Sequence, residues 1–276
     1  MSLTARLIND MTPNTGIFNM AADEFLSRDQ SSSEFDAIIR IYRFDPPTVS
    51  LGRNQLTSEI NESRCSEKGW DIVRRPTGGR TLLHLDDICY SIIIPKRLDA
   101  FKDLRNLYEG VAASLATTLI TFGIEASPID LPVKFPFDRE IKSTRLCISA
   151  RVRGEVHVDG RKITSASQRI YQHSILQHGS IFYSGDPTVV ADIVAEDLID
   201  GNEFSLKLKD RVITMAEAST ELVSMEEFAK CFVRELSQLF EFSLLDCPFF
   251  SDELEKIAAK EYYFSLSPPN QNITAA

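Results

Sequence analysis

The sequence predicts an α+β fold: a mixed, largely antiparallel β-sheet flanked by α-helices. Three observations carry that prediction. Runs rich in β-branched and aromatic residues are interleaved with stretches of helical period. Several strand-like runs are joined by tight turn signals that suit hairpins. No internal repeat and no clear linker divides the 276 residues, so residues 1–266 read as a single domain and 267–276 ("SPPNQNITAA") as a disordered tail.

The elements follow in order. "NMAADEFLSR" (19–28) reads as a helix capped by Asn19, with Asp23 and Glu24 in its early turns. The leading "MSL" is given no structural weight. "AIIRIYRF" (37–44) has strand composition, and "PPTVSLG" supplies a second strand after a Pro-Pro turn. "SEINESRCSEKG" suits a surface helix that ends at Gly69 and exposes Cys65. "WDIVRRP" is a strand, and the mostly apolar "ICYSIIIP" (88–95) is a strand central in its sheet. Leu104, Leu107, Tyr108, Val111, Leu115, Leu119 and Phe122 keep a 3.6-residue period, and Gly123 stops that helix. Residues 126–146, with three prolines and mixed charge, read mostly as a loop. From 147 to 170 the pattern is a β-hairpin turning at Asp159-Gly160, where both residues tolerate positive φ. "SILQHGSIFYS" is a further strand. Asp186 caps and Pro187 starts a helix, and two more helices follow at "SMEEFAKCFVRELSQLF" and "SDELEKIAAKEYY".

Composition narrows the function. Hydrophobic residues make up 43% and charged residues 25%, with a net charge of −10. That balance argues against a broad nucleic-acid surface. No run approaches the roughly 18–20 apolar residues of a membrane span, and the N-terminus lacks the apolar core of a secretory signal. Five cysteines without a CxxC pair speak against a disulfide framework and a zinc site, and a reduced, cytoplasmic setting follows.

Three constellations can carry chemistry. "RRPTGGR" (74–80) sets Arg74, Arg75 and Arg80 around Gly78 and Gly79. The glycines let backbone approach a ligand and the guanidiniums favour carboxylate or phosphate, although a tight turn with solvated arginines has the same spacing. Lys162, just after the hairpin turn, can pin an acyl carbonyl or a phosphate if its strand faces a cleft. Cys147 stands near Arg145, and cationic neighbours favour the nucleophilic thiolate; a lone cysteine is otherwise a small buried hydrophobe. Residues 139–169 hold eight cations against Glu140, Glu155 and Asp159, a basic island able to dock an acidic partner. His84 follows the glycine turn, and His178 precedes Gly179 in a strand.

Taken together and in order, "NMAADEFL", "PPTVSLGRNQ", "RRPTGGRTLLH…YS", "DGRKITSASQ" and "LQHGSI" resemble the biotin/lipoate protein ligase and octanoyltransferase superfamily. The likeness spans about residues 15–185. It is nearest to the cysteine-type octanoyltransferases, with lipoate–protein ligase A as the neighbouring activity. It implies a catalytic domain like that of class II aminoacyl-tRNA synthetases and biotin protein ligases. It also implies transfer of an octanoyl or lipoyl group through a Cys147 thioester, with Lys162 contacting the acyl carbonyl. Arg74, Arg75, Gly78, Gly79, Arg80, His84, Ser165, His178 and Gly179 would bind substrate. Acyl carrier protein would be the donor, and lipoyl-domain proteins or the glycine-cleavage H protein the acceptors. The transferase needs no cofactor and no metal; the ligase alternative needs ATP and Mg. A third alternative is a family member that binds the acyl group without turnover. Arg80, where ligases of this kind carry a third glycine, and Cys147, fifteen residues before Lys162, favour the transferase. Two departures stand out: Leu85 follows His84 where the family has Asp, and Thr164-Ser165-Ala166 follows the lysine without the family's glycine.

Overall fold

The computed structural model describes residues 3–30, 34–98, 104–128, 146, 155–194, 205–206 and 208–265. The first half runs β1 (Leu3–Asn14), α1 (Gly16–Asp29), β2 (Ala37–Phe44), β3 (Thr48–Leu51), α2 (Glu62–Glu67), β4 (Asp71–Arg74), β5 (Leu82–His84), β6 (Asp87–Pro95) and α3 (Leu104–Thr121). The second half adds β7 (Ser127–Pro128), β8 (Val156–Val158), β9 (Arg161–Lys162), β10 (Thr164–Ile170), β11 (Ser174–Phe182), α4 (Met215–Ala218), α5 (Met225–Leu239), β12 (Phe242–Asp246) and α6 (Ser251–Ala258).

The main sheet has six strands in the order β10-β11-β6-β2-β1-β12. Along β10, β11, β6 and β2 each strand is antiparallel to the next, whereas β1 runs parallel to both β2 and β12. The mixed, mostly antiparallel sheet is thus the one expected, and β6 is central as its apolar run requires. Two three-stranded sheets, β4-β3-β5 and β7-β8-β9, lie beside it.

Period-two alternation explains the layers. On β6, Ile88, Tyr90, Ile92 and Ile94 join Ile39 and Ile41 of β2 under α3 and α5, where Leu107, Val111, Leu115, Phe228 and Phe232 close a dry core. The other faces of the same strands present Cys89, Ile93, Ile38 and Tyr42 to Met20, Phe25 and Leu26 of α1 and Ile257 of α6. A third cluster, around Val49, Leu51, Leu82 and Leu83, holds the β4-β3-β5 sheet against residues 190–194.

Several local expectations are corrected. Helix α1 starts a turn earlier than expected: Thr15 caps it by accepting from the Phe18 N–H, and Asn19 lies inside. The Asn19 amide instead donates to the Asn14 and Arg43 carbonyls, tying the helix to two strand ends. Leu3 belongs to β1 and packs on the core, so the N-terminal residues are not structurally neutral. Cys65 is buried rather than exposed, because α2 is capped by Asn61 and turns the thiol inward; burial pushes that thiol up to about 11. Residues Pro187–Ile193 form a 3₁₀ rather than an α-helix, with Asp186 capping as expected. Asp159 and Gly160 both have positive φ, as the hairpin turn requires. Residues 129–145 of the expected loop, 147–154 of the expected hairpin and the tail from 266 lie outside the described residues.

The face toward α1 also carries charge. Arg40, fully buried on β2, donates through Nη2 to Asp10 Oδ2 and Asn19 Oδ1 at 2.6 Å each, and through Nη1 to Asp23 Oδ1 at 3.3 Å. Asp23, equally buried on α1, accepts from Tyr42 Oη at 3.1 Å and from His178 Nδ1 at 2.9 Å. His178 Nε2 in turn faces Thr77 Oγ1 at 2.6 Å. Although the contact with Asp23 favours the charged imidazolium, burial is the larger influence and lowers the proton affinity of His178. The ring is therefore neutral, with Nδ1–H on Asp23 and Nε2 accepting the Thr77 hydroxyl.

Two outcomes follow. Asp23→Ala leaves Arg40 short of a counter-charge and strands the Tyr42 and His178 donors. It should destabilise the fold by about 3–5 kcal/mol, read from the urea midpoint. Because folding depresses the His178 pKa, the unfolded chain takes up the proton first. Stability present above the unfolded value of about 6.5 should decline as pH falls below it, and His178→Gln should remove that part of the slope.

Candidate active site

The seven-residue link from β4 to β5 is built around neighbouring arginines. Arg75 is buried and reaches back across the turn. Its Nη1 donates to the Ser50 carbonyl at 2.8 Å, Nη2 to the Arg80 carbonyl at 2.7 Å and Nε to the Gly78 carbonyl at 3.2 Å. Arg74 points the other way and donates to the Gly52 and Gln55 carbonyls at 2.9 and 2.5 Å. Two of the three guanidiniums thus hold backbone, buried rather than solvated as the bare-turn alternative had them. Among the described residues, buried nitrogens of Arg74 (Nε, Nη2) and Arg80 (Nη1) have no hydrogen-bond partner.

Glycine is required here by space as well as by φ. Gly79 has φ +95°, and a Cβ there would lie 2.6 Å from Arg75 Nη2. A Cβ on Gly52 would fall 2.0 Å from the Gly79 carbonyl oxygen. On the facing strand, a Cβ on Gly179 would come within 2.6 Å of both Tyr90 and the Ser165 carbonyl.

A cavity of about 50 Å³ opens beside this turn. One wall is Arg75 and Gly79, another Ser165, Ala166 and Ser167 of β10 with His178 and Gly179 of β11, and the floor includes Met20, Tyr42, Ser50, Leu82 and His84. Sequence analysis named six of these: Arg75, Gly79, His84, Ser165, His178 and Gly179. Gly78 is exposed at the tip of the turn, where its carbonyl accepts from Ser167 Oγ at 3.1 Å. Neither Arg74, Gly78 nor Arg80 lines the cavity.

Lys162 does not line it either. Its strand β9 carries the ammonium into the interior, 2.6 Å from the Glu155 carboxylate, with both side chains 1% exposed. Such a pair is tolerated because each charge supplies what the other has lost in hydration. The remaining described cations of the basic island are also internally engaged: Arg161 with Glu217, and Arg169 with Glu24. Cys147 lies outside the described residues. Leu146, the residue before it, is buried and forms a parallel bridge with Thr81, the residue after Arg80.

The cavity floor contains residues that sequence reasoning did not single out. His84 Nδ1 is 2.7 Å from Asp87 Oδ2, and His84 Nε2 is 3.0 Å from Ser50 Oγ. Its ring stacks on Phe44 at 4.0 Å. The only advance signals were the spacing of Asp87 three residues after His84 and the presence of Ser50 within "PPTVSLGRNQ". Leu85, the departure from the family's Asp, packs toward Gly185 and the third cluster and is absent from the cavity lining. Ser165, which stands in the family's glycine-containing segment, does line it.

Comparison with known proteins agrees with this architecture. A family model described as "Lipoyl protein ligase A/B catalytic domain" matches residues 15–237. An octanoyltransferase LipM of Staphylococcus aureus is 33% identical over 218 residues, covering 76% of this chain and 77% of its own. One from an Exiguobacterium species is 30% identical over 225 residues, covering 78% and 79%. The bi-partite lipoate protein ligase of Thermoplasma acidophilum superposes with a TM-score of 0.74 over 95% of this chain and 92% of its own, at 18% identity. A lipoate-protein ligase A bound with ATP gives 0.73 over 94% and 95%, at 19% identity. These two likenesses speak to the fold alone; the matched span of the family model and the sequence identities of the octanoyltransferases establish that the chain belongs to the lipoyl protein ligase A/B catalytic domain family.

Proposed function

We propose that this acyltransferase moves an octanoyl group from a thioester donor to a lysine of a lipoyl-carrier protein, through a thioester on Cys147. The donor is octanoyl-acyl carrier protein, and the acceptors are lipoyl domains or the glycine-cleavage H protein. The observation that carries the reading is the Thr81–Leu146 bridge. It ties the chain one residue ahead of Cys147 to the strand that leaves the Gly78-Gly79 turn, at the margin of the cavity. Consecutive Cα atoms are about 3.8 Å apart, and the closeness in sequence of this tethered position supports Cys147 as the nucleophile. The octanoyltransferase relatives, aligned over about four fifths of their length, support the same chemistry.

In the first step the thiolate attacks the donor carbonyl and the carrier thiol leaves; in the second, the acceptor amine displaces Cys147. The Gly79 backbone and a nearby positive charge would stabilise the oxyanion in both. Lys162 takes that part only if its ammonium turns from Glu155 toward the acyl carbonyl. An octanoyl chain contributes about 0.8 kcal/mol per buried CH₂, or about 5–6 kcal/mol in all. The cavity is small for such a chain, and Met20 in its floor is the flexible side chain suited to yield.

Intact-protein mass spectrometry after exposure to octanoyl-acyl carrier protein should show the mass of one octanoyl group, absent in Cys147→Ser. Transfer that persists in Cys147→Ser and releases pyrophosphate from ATP and lipoate would establish the ligase instead. Tight acyl binding without transfer under either condition would establish a binding protein. Glu155→Gln leaves the Lys162 ammonium without its buried counter-charge and should lower transfer by at least about tenfold, measured at saturating donor.

A further inference from the structure

The floor of the cavity holds a hydrogen-bonded chain with a defined direction. Ser50 Oγ accepts from Arg75 Nη1 at 3.2 Å; a guanidinium is only ever a donor. The serine's single hydrogen then has two acceptors, His84 Nε2 at 3.0 Å and the Leu82 carbonyl at 3.4 Å, and the shorter contact is the histidine. For Nε2 to accept, the ring proton must sit on Nδ1, and there it meets Asp87 Oδ2 at 2.7 Å. Asp87 is fixed in turn by Ser180 Oγ and by Cys89 Sγ at 3.4 Å. All four residues Ser50, His84, Asp87 and Arg75 are buried, yet Ser50 and His84 both line the cavity. The second Asp-anchored histidine of the cavity, His178, spends its Nε2 on Thr77 within the turn. His84 alone of the two faces a hydroxyl on the cavity floor.

We propose that Ser50 and His84 form a proton relay for the acceptor half-reaction, with Asp87 as the positioning residue that sets the His84 tautomer. The inference rests on the octanoyl-transfer reading for its acyl group. The neutral amine of the acceptor lysine forms a C–N bond with the thioester carbonyl carbon. The C–S bond breaks, and its electron pair leaves on sulfur. The proton released by the new amide nitrogen passes to Ser50 Oγ as the serine's own hydrogen moves to His84 Nε2. The resulting imidazolium is held by the Asp87 carboxylate and returns its proton to solvent or to the departed thiolate. The groups facing His84 are Asp87 and Cys89 of β6, Arg75 through Ser50, and His178 and Tyr42 across the cavity.

The test is a single-turnover assay run in H₂O and in D₂O. Enzyme is loaded from octanoyl-acyl carrier protein, its acylation is confirmed by mass, and transfer to a lipoyl domain is then followed. Ser50→Ala and His84→Gln should slow amine transfer by about 100-fold or more and lose the solvent isotope effect of the wild-type step. Asp87→Asn, whose amide favours the opposite ring tautomer, should lose the same isotope effect with a drop of about tenfold or more, and Asp87→Glu should restore it. Circular dichroism melts identify variants that fail to fold, and Ser50→Ala, the smallest change, keeps the comparison open. Transfer at the wild-type rate and with an unchanged solvent isotope effect in Ser50→Ala and His84→Gln overturns the relay. If wild-type enzyme never acquires an acyl group but transfers lipoate with ATP, the thioester reading fails on its own. The same variants, run in that reaction, then decide the relay by the same isotope effect, since amine attack is common to both. No transfer with either donor overturns both.

Discussion

A single buried carboxylate organises the cavity-bearing face of this protein. Asp23 sits on α1 with no exposure and accepts from two strands at once: Arg40 and Tyr42 of β2 and His178 of β11. A bare carboxylate in that position would be expelled or protonated. With Arg40 beside it and three donors around it, the charge is balanced and the helix is locked to two non-adjacent strands. The lock reaches the glycine turn through His178 and Thr77. Helix placement, sheet register and turn conformation therefore depend on one satisfied network, and a half-satisfied one would be worse than an apolar core.

The same economy governs the arginines of the turn. Three guanidiniums around two glycines look, in sequence, like a site for an external anion. In the fold Arg74 and Arg75 grip the carbonyls of Ser50, Gly52, Gln55, Gly78 and Arg80. Gly79 is needed because Arg75 occupies the space a side chain would take there, whereas a Cβ on Gly78 would meet nothing. The result is a stiff rim with its backbone aimed at the cavity, and its rigidity comes from charge-assisted bonds to carbonyls rather than from apolar packing.

How much of this was legible depended on range. Local signals held where the physics was local: the buried run of β6, the period of α3, the Asp159-Gly160 turn and the Asp186 cap. The antiparallel half of the sheet and six of the cavity residues followed from motifs that lie on adjoining strands. What stayed hidden was set by distant partners. Asn19 looked like a helix cap because nothing in sequence shows the Arg43 carbonyl that takes its amide. Cys65 looked exposed because the residues that cover it come from the third cluster. Lys162 looked like a group aimed into a cleft, and only the fold reveals Glu155 beside it. Strands β1 and β12 were missed because their pairing is with each other and with β2, across almost the whole chain.

That last pairing has a bearing on synthesis. β1 is joined on one side to β2 and on the other to β12, residue by residue from Leu3↔Phe242 to Leu7↔Asp246, and Arg6 is clamped by Glu253 through two bonds of 2.7 Å. A nascent chain therefore carries an unpaired, half-apolar strand edge and a guanidinium without its counter-charge until residues 242–253 have followed it out of the ribosome. Over that interval the edge is open to the strands of other chains.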